Sequence, residues 1–429
     1  MLIEFSVGNY RSFKDQVTLS MVAAPIVAED KEIDQRNVFT VDEDLELLKS
    51  AAIYGANASG KSNLAKAMGF MRWFMINSSK NTQSTEPINV EPFRLSIETE
   101  KQPSFFEIVF LMEGTQYRYG FEIDRNEVLS EWLYYVPNIR ETKLFIRDQD
   151  KFEITKKYRG QKLKHITRPN ALFLSVCAQF NVKIASEILD WVENKFKIIS
   201  GLEDRGYRDY TARCLSQKNQ YSETILKLIK KLDLGISDID IEEVEITEEH
   251  LPEHFPEELK RNILTNSPKI RSVSTFHKKY DAEGKLSSTE IFDLEEQESE
   301  GTQKLFEIAG PLVDTLFEGK VLVIDEFDAR LHPLINQAIV KLFNSIEDNP
   351  NNAQLIFITH DTNLLDKKLL RRDQVWFTEK NRYGSTDLYS LVEYKGVRND
   401  ASFENDYIKG RYGAIPFLGN LSKLLEERK

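Results

Sequence analysis

The residues from Gly55 to Ser62 could bind phosphate, because they fit the pattern G-x-x-x-x-G-K-[ST] at every fixed position. The two glycines let backbone N–H groups curl around phosphate oxygens, and the helix that follows adds the positive end of its dipole. Lys61 would reach the β- and γ-phosphates, and the Ser62 hydroxyl would bind Mg²⁺. The pattern therefore predicts a site for a nucleoside triphosphate. The residues expected to contact it here are Gly55, Asn57, Gly60, Lys61, Ser62 and Asn63.

Two carboxylates follow an apolar run later in the chain. The run covers 321–324, and Asp325 and Glu326 come directly after it. An apolar strand in a parallel sheet brings its last side chains to the carboxyl edge of the sheet, where ligands bind. Asp325 is then placed to hold magnesium, directly or through water, and Glu326 to polarise an attacking water as general base. Strands often end in acidic residues, so this stretch indicates a metal site only in combination with the other motifs of the chain.

Two further segments complete an ordered set of motifs. Ser299, Gly301 and Gln303 lie at the start of a helical pattern, whose N-terminus is either a second anion site or an ordinary capped helix. His360 follows the apolar strand predicted over 355–358, where a histidine by itself is as well explained by a structural role. The order along the chain, from loop to serine–glycine helix, acidic strand and histidine-ended strand, favours one shared function for all four.

The elements that carry these residues predict an α/β fold. The loop lies between an apolar strand over 47–54 and a helix over 63–76. From residue 301 onward helical and strand patterns alternate, as in an α/β layer with a parallel sheet. The stretch 104–154 predicts an antiparallel subdomain of short strands separated by polar turns. Strand patterns over 2–7 and 17–22 predict a hairpin beside the loop-bearing strand.

The nucleotide-binding core is predicted to be split by an insertion. We expect residues 1–180 to form its first part together with the antiparallel β subdomain. Residues 181–290 would form an inserted, mainly helical lobe with a β-hairpin, and residues 291–429 the second part of the core. Acidic residues crowd between Asp233 and Glu258, and this stretch predicts an exposed connector.

The composition excludes several classes of protein. With 429 residues, 41% hydrophobic residues and a mean hydropathy of −0.43, the chain is typical of a soluble protein of two lobes. No run approaches the roughly 20 apolar residues of a membrane span. The two cysteines lack metal-ligand spacing and predict reduced, buried thiols in a cytoplasmic protein. The net charge of −12 argues against a wholly basic nucleic-acid-binding protein but leaves local basic patches open.

The ordered motifs resemble those of ABC-type ATPases, in the branch shared with the SMC and RecF proteins. Residues 55–62 correspond to their Walker A motif, 299–303 to the signature motif, 321–326 to Walker B, and His360 to the switch histidine. The segment Asn9-Tyr10-Arg11-Ser12-Phe13 is similar to a stretch whose arginine lies near nucleotide, so the resemblance adds Arg11 to the ATP contacts.

This chain departs from the ABC-type pattern at two places. Arg330 follows Walker B where a small hydroxyl residue is expected for a dimer contact. The glutamine-loop ligand stays open among Gln83, Gln102 and Gln116.

The chain resembles one group within that branch more closely, the AbiLi/RloA bacterial ATPases associated with abortive infection. The shared segments are Glu326-Phe327-Asp328-Ala329-Arg330-Leu331-His332-Pro333 and Gly410-Arg411-Tyr412-Gly413-Ala414-Ile415-Pro416-Phe417. The resemblance extends from the first strand to about Phe417, and it identifies the chain as an OLD-like ATPase without a nuclease domain. The C-terminal segment is open to two interpretations, a functional role or a tightly turned structural segment.

The resemblance implies an ATP hydrolase completed by a second copy of itself. In ABC-type proteins two nucleotide domains face each other head to tail, and the serine–glycine helix of one closes on the γ-phosphate held by the other. Ser299 and Gly301 would then act in trans in a nucleotide-stabilised homodimer. Glu326 and His360 would be catalytic, with ATP and Mg²⁺ bound.

Two biological roles fit this mechanism. The first is a sensor or regulator in antiphage defence that acts through a separate effector such as a nuclease, since the chain shows no nuclease motif. The alternative is a RecF-like or SMC-like clamp in DNA repair that binds DNA directly. A basic stretch from Arg140 to Arg168 favours the clamp, although lysines that protect an exposed strand edge explain it as well. The absence of sustained heptads between Walker A and the signature motif argues against a coiled-coil arm. A non-hydrolysing scaffold is disfavoured by the presence of Glu326 and His360.

Overall fold

The computed structural model describes residues 1–80, 83–202, 205–232, 235–245, 256, 260, 269–397 and 401–416. The described helices are α1 (Lys31–Asn37), α2 (Lys61–Asn77), α3 (Phe173–Gln179), α4 (Lys183–Asn194), α5 (Arg205–Ser216), α6 (Ser222–Lys231), α7 (Glu300–Glu318), α8 (Pro333–Asn344) and α9 (Phe403–Ile408). The first ten strands are β1 (Leu2–Gly8), β2 (Val17–Ser20), β3 (Val38–Thr40), β4 (Glu46–Leu48), β5 (Ser50–Gly55), β6 (Ser104–Met112), β7 (Thr115–Ile123), β8 (Val128–Val136), β9 (Thr142–Asp148) and β10 (Lys151–Ile154). The later strands are β11 (Phe196–Ser200), β12 (Ile236–Glu245), β13 (Lys269–Tyr280), β14 (Leu286–Asp293), β15 (Val321–Asp325), β16 (Gln354–Ile358), β17 (Val375–Lys380) and β18 (Thr386–Ser390).

The chain divides into two compact units. Unit 1 comprises Met1–Ser200, Glu318–Phe327 and Asn336–Lys429, and unit 2 comprises Gly201–Phe317 and Asp328–Ile335. The predicted α/β class with several sheets is confirmed, since parallel and antiparallel sheets occur together with helices. The division of the chain at residues 180 and 290 stays a prediction.

A six-stranded sheet in unit 1 carries residues 55–62, which we call the phosphate loop. Its order is β11-β15-β16-β5-β17-β18, and every neighbouring pair is parallel except β17 and β18. Strands β5 and β16 are buried along their whole length, which explains their continuous apolar sequences. Ile324 of β15 pairs with Phe357, and Ile358 pairs with Ile53. The carboxyl ends of β15, β16 and β5 therefore lie side by side.

A seven-stranded antiparallel sheet forms the β subdomain of unit 1, in the order β10-β9-β8-β7-β6-β1-β2. The antiparallel strands predicted over 104–154 are confirmed. The N-terminal hairpin was predicted beside the strand over 47–54, but β1 pairs with β6 rather than with β5. Val22, just beyond β2, forms an isolated bridge with Leu47, at the start of the predicted strand. Residues 3–7 alternate between apolar and polar, which predicts a strand but does not specify which strand pairs with it.

Helix α2 shares its core with this antiparallel sheet. All five apolar residues that set its helical period are buried, namely Leu64, Met68, Met71, Phe74 and Met75. The rings of Phe74 and Phe121 on β7 lie 5.6 Å apart, and those of Tyr10 and Phe106 5.2 Å. Burial of each such side chain contributes roughly 1.5–3 kcal/mol. The helix that begins at the phosphate loop is thereby held from one side by aromatic packing.

Unit 2 combines helices α5, α6 and most of α7 with a three-stranded antiparallel sheet, β12-β13-β14. The β-hairpin predicted in the inserted lobe corresponds to β13 and β14, which are joined by residues 281–285. The exposed connector predicted from Asp233 to Glu258 is wrong over Ile236–Glu245, which forms β12, and residues 233–234 lie outside the described residues. Within β12, Asp238, Asp240 and Glu242 alternate with half-buried Ile239 and Ile241, so these three carboxylates lie on the face opposite the two isoleucines. Residues 246–255 and 257–258 of that stretch lie outside the described residues.

Two smaller expectations concern cysteine and the membrane. Cys177 and Cys214 are both buried free thiols, as predicted. Within the described ranges, none of the helices combines the length and the apolarity that crossing a bilayer requires.

Candidate functional site: a phosphate loop and two carboxylates

The phosphate loop fits tightly against β17 and β18. Gly60 has a φ of +113°, and a Cβ at this position would lie 2.3 Å from Thr386 Oγ1. A Cβ at Gly55 would lie 2.5 Å from the carbonyl oxygen of Thr378. Both contacts are shorter than any side chain permits, so the two fixed glycines of the sequence pattern are required by packing as well as by backbone conformation.

Lys61 is held at the base of the loop. Its Nζ atom donates hydrogen bonds to the carbonyl oxygens of Gly55, at 2.8 Å, and Ala56, at 2.9 Å. The side chain folds back over the loop, and the residue is only 6% exposed. A buried ammonium group next to a curl of backbone N–H groups is suited to bind an anion such as a phosphate.

Ser62 and Asp325 meet, as the motif order predicts. Ser62 Oγ donates to Asp325 Oδ1 at 3.1 Å, although the two residues are far apart in sequence. Burial raises the pKa of Asp325 above its ordinary value, while the hydrogen bond from Ser62 and the charges of Lys66 and Lys61 act in the opposite direction. A carboxylate withdrawn from water in this way is stabilised when a cation binds beside it.

Glu326 and His360 line the same cavity as the phosphate loop. The cavity measures about 340 Å³. Its lining residues are Asn57, Ala58, Ser59, Gly60, Lys61, Ser62, Asn63, Glu326, Ile358, His360 and Lys380. Glu326 has a φ of +54°, which is uncommon for a residue with a side chain. The backbone leaves β15 there, and Phe327 N donates to Ile358 O at 2.9 Å on the neighbouring strand.

The donor set fits Mg²⁺ bound together with phosphate. Among the described residues, no group of three or more histidine, cysteine, aspartate or glutamate side chains could hold a metal ion by itself. Mg²⁺ is commonly bound by one or two protein oxygens, with substrate phosphates and water as its other ligands. Ser62, which lines the cavity, and Asp325, which accepts its hydrogen bond, supply such a pair of oxygens.

The segment from Asn9 to Phe13 touches the loop through Ser12 instead of Arg11. Arg11 Nη2 lies 2.8 Å from Glu91 Oε1, and within the described ranges Arg11 is not among the residues that line the cavity. Ser12 Oγ accepts a hydrogen bond from Asn63 Nδ2 at 2.8 Å. Its carbonyl oxygen accepts from Thr386 N at 2.7 Å. The contact of Arg11 with nucleotide stays a prediction.

The serine–glycine segment lies in unit 2, at the start of α7. Ser299 is exposed, and its hydroxyl accepts a hydrogen bond from Thr302 N at 3.2 Å. A Cβ at Gly301 would lie 2.8 Å from the carbonyl oxygen of Arg330. Gln303 Nε2 donates to the carbonyl oxygens of Glu295 and Glu298. In this chain the segment is thus a capped helix start that leaves the Ser299 side chain accessible.

Sequence reasoning missed three residues on β17 and β18. Thr378 Oγ1 lies 2.6 Å from Ser59 Oγ, Thr386 Oγ1 donates to Ser59 O at 2.7 Å, and Lys380 lines the cavity. Their strand patterns follow the histidine-ended strand, but no spacing links them to the loop. Only the pairing of β17 with β5 brings them there.

A family model described as "AAA domain, putative AbiEii toxin, Type IV TA system" matches residues 50–366. The match includes the loop, both carboxylates, the serine–glycine segment and His360. A search of curated proteins finds no match.

Solved structures give several matches at low identity. The SMC head domain from Thermotoga maritima is 15% identical, covers 91% of this chain and 98% of its own, and has a TM-score of 0.41. The Smc head domain with an extended coiled coil derived from Pyrococcus furiosus, bound to the C-terminal domain of ScpA, is 12% identical, with coverages of 96% and 98% and a TM-score of 0.38. The recombination mediator protein RecF in its ATPrS form is 15% identical, with coverages of 90% and 98% and a TM-score of 0.35.

Proposed function

Since the chain belongs to the family of AAA domains described as putative AbiEii toxins of a type IV TA system, we propose that it is an ABC-type ATPase hydrolysing ATP with Mg²⁺ at a head-to-tail dimer interface. One observation carries the proposal. Lys61, Ser62, Glu326 and His360 line one cavity, and Asp325 is hydrogen-bonded to Ser62.

The residues around the cavity divide the chemistry among them. Backbone N–H groups of the loop and the Lys61 ammonium would bind phosphate oxygens, and Ser62 and Asp325 would hold the metal. When bound, Mg²⁺ neutralises charge on the phosphates. Glu326 orients a water molecule and accepts a proton from it as the water oxygen attacks the γ-phosphorus. The bond between the γ-phosphorus and the oxygen that stays with ADP then breaks. His360 lies at the same cavity and is placed to hydrogen-bond the transferred phosphoryl group.

A second copy of the chain would complete the site. Ser299 is exposed in unit 2 and makes its hydrogen bonds within its own helix start. The ABC-type arrangement would place this serine and the start of α7 against the γ-phosphate held by the partner subunit. Backbone N–H groups at a helix start stabilise negative charge, so closure would assist the transfer step.

Steady-state ATP hydrolysis and nucleotide-dependent oligomerisation test this mechanism, with the wild type beside Glu326→Gln. We expect the wild type to turn over and Glu326→Gln to hydrolyse at least about 100-fold more slowly while retaining ATP as a stable dimer. Glu347→Gln, at an exposed site on the same unit, is the matched control. If neither the wild type nor the variant hydrolyses ATP or dimerises, the catalytic roles are wrong.

For the biological role, we propose a cytoplasmic sensor or regulator in antiphage defence of the AbiLi/RloA type, acting through a separate effector such as a nuclease. The family description and the two shared segments, 326–333 and 410–417, support this role. Plating efficiency of phage on cells that carry the natural locus tests it. Loss of protection with Lys61→Ala, but not with Lys80→Ala, is expected, whereas equal plating on cells with and without the locus contradicts the role.

Direct DNA binding is a second candidate function, favoured by the charge of one segment. Residues 155–168 contain six lysine or arginine residues and no acidic residue, in a chain whose net charge is −12. Two of the six have intramolecular partners: Lys157 Nζ lies 4.0 Å from the centroid of the Tyr135 ring, and Arg168 donates to Ser78 O at 3.2 Å. The others, Lys156, Arg159, Lys162 and Lys164, are exposed.

The salt dependence of duplex DNA binding tests this second function. Each phosphate contact steepens the decline of log affinity with log salt by about 0.9. A triple alanine variant at Lys156, Lys162 and Lys164 should flatten the slope by about 2–3. Its matched control is a triple alanine variant at Lys278, Lys279 and Lys285, three exposed lysines of unit 2. Equal slopes for both variants would exclude the segment as a DNA contact.

A further inference from the structure

The residues on either side of Ser299 are anchored within unit 2, whereas Ser299 itself is exposed. On one side, Glu300 Oε2 lies 3.3 Å from Arg330 Nε. That pair is largely exposed and therefore contributes little. On the other side, the Glu298 side chain is 8% exposed and points towards β13. The stronger anchor therefore precedes the serine.

Two side chains of β13 hold the Glu298 carboxylate. Thr275 Oγ1 donates to Glu298 Oε1 at 2.5 Å, and His277 Nε2 lies 2.6 Å from the same oxygen. Thr275 is fully buried on the central strand of the three-stranded sheet, and the His277 ring lies 4.7 Å from the Phe292 ring of β14. The partners of Glu298 are thus fixed by the sheet.

The same turn is fixed from the helix side. Gln303 Nε2 donates to Glu298 O at 3.1 Å, and Gln303 N donates to Ser299 O at 3.0 Å. A buried carboxylate without donors is costly, so the hydrogen bonds from β13 strongly favour one position of the turn. The position of the Ser299 backbone therefore depends on the position of β13.

We propose that Thr275 and His277 are positioning residues for ATP hydrolysis, acting on Ser299 through Glu298. This inference rests on the proposed function. The sheet β12-β13-β14 sets the direction in which Ser299 and the first N–H groups of α7 are presented, so that a shift of β13 changes the rate of hydrolysis. ATP binding, which depends on unit 1, would be left unaffected.

The test compares two substitutions at one buried position. Thr275→Val keeps the shape of the side chain and removes the hydroxyl, while Thr275→Ser keeps the hydroxyl and removes a methyl group. We expect Thr275→Val to lower kcat about tenfold, with KM and the affinity for a fluorescent ATP analogue within about twofold of wild type. Thr275→Ser should remain within about threefold in kcat. His277→Gln, at a residue whose side chain is 20% exposed, repeats the test if Thr275→Val does not fold.

The outcomes separate this inference from the function on which it rests. If the wild type does not hydrolyse ATP, the proposed function and this inference both fail. If Ser299→Arg abolishes hydrolysis but Thr275→Val and His277→Gln turn over like the wild type, this inference alone fails. It also fails if Thr275→Val and Thr275→Ser lose kcat equally, because the hydroxyl would then have no role in the rate.

Discussion

In unit 1 the phosphate loop is enclosed by its own chain, with Lys61 folded over it and Ser62 bonded to Asp325. In unit 2 the serine–glycine segment is anchored through Glu298 and Gln303, while Ser299 is exposed. In the first region, the side chains of Lys61, Ser62, Glu326 and His360 line one cavity. The second holds its backbone in place around an exposed serine, whose hydroxyl is bonded within its own helix start.

The difference predicts that nucleotide binding and hydrolysis can be separated by mutation. The groups proposed to bind phosphate and metal belong to unit 1 and can act in a single chain. Under the proposed mechanism, Ser299 of unit 2 acts only when a partner subunit closes on it. Substitutions in unit 1 should therefore affect affinity, and substitutions around Ser299 should affect turnover.

Lys61→Ala should have the largest effect. It removes the ammonium proposed to bind the phosphates. Two hydrogen bonds from that charged group to phosphate oxygens, at roughly 1.5–3 kcal/mol each, correspond to at least about 100-fold in affinity, so we expect ATP binding to weaken by at least that factor. Calorimetric titration with ATP and Mg²⁺ measures the ATP affinity of the variant and of the wild type. Lys80→Ala, an exposed lysine beyond the end of α2, should bind as the wild type does. Equal ATP affinities for Lys61→Ala and Lys80→Ala would contradict the assignment of ATP binding to the phosphate loop of unit 1.

Ser299→Arg should reduce hydrolysis by a similar factor while leaving binding intact. A large cation at the exposed helix start would obstruct closure of a partner on that surface, so kcat should fall about 30–100-fold with unchanged ATP affinity. Ser288→Arg, on exposed β14 of the same unit, is the control. Hydrolysis that survives Ser299→Arg in a folded protein would contradict a role for unit 2 in the site.

Gly301→Ala should have an intermediate effect. Its Cβ would lie 2.8 Å from Arg330 O, so the start of α7 must shift by a few tenths of an ångström. We expect kcat to fall about tenfold and ATP affinity to stay within about twofold. Gly69→Ala in α2, where a Cβ meets nothing within 4 Å, should leave both unchanged. A loss of affinity in Gly301→Ala would place the segment in the binding site of its own chain.

Ser12→Ala should have the smallest effect. It removes one hydrogen bond, from Asn63 Nδ2 at 2.8 Å, and affects the loop only through its packing. ATP affinity should weaken about two- to fivefold, because one such bond contributes about 0.5–1.5 kcal/mol. Titration beside Ser20→Ala, on β2, measures the difference. A larger effect would show that the N-terminal segment contacts nucleotide directly.

The two regions also differ in how far sequence predicted them. The glycines, Lys61, Ser62 and Asp325 meet as expected, because the spacing of the loop and the apolar run before Asp325 each specify a parallel strand end. The predicted place of the β1–β2 hairpin differs from the structure because alternation in a sequence identifies the faces of a strand and not the strand that pairs with it. Strand β12 was missed because acidic residues on its exposed face masked the isoleucines between them.

Long-range side-chain contacts had no signal in the sequence. Thr378 and Thr386 reach Ser59 only because β17 pairs with β5, and Thr275 reaches Glu298 only through the packing of unit 2. Neither contact follows a spacing rule. Arg11 illustrates the converse, since a motif resemblance pointed to the arginine while the structure brings the adjacent Ser12 to the loop.

Subunit complementation tests the central claim most directly, which is that Ser299 acts on nucleotide held by a partner. Lys61→Ala carries an intact serine–glycine segment, and Ser299→Arg carries an intact phosphate loop. Each alone should be inactive, and an equimolar mixture should recover up to about a quarter of wild-type hydrolysis, since a two-fold dimer of unlike chains retains one complete site. If the two chains copurify and the mixture still does not hydrolyse ATP, the site does not form between subunits.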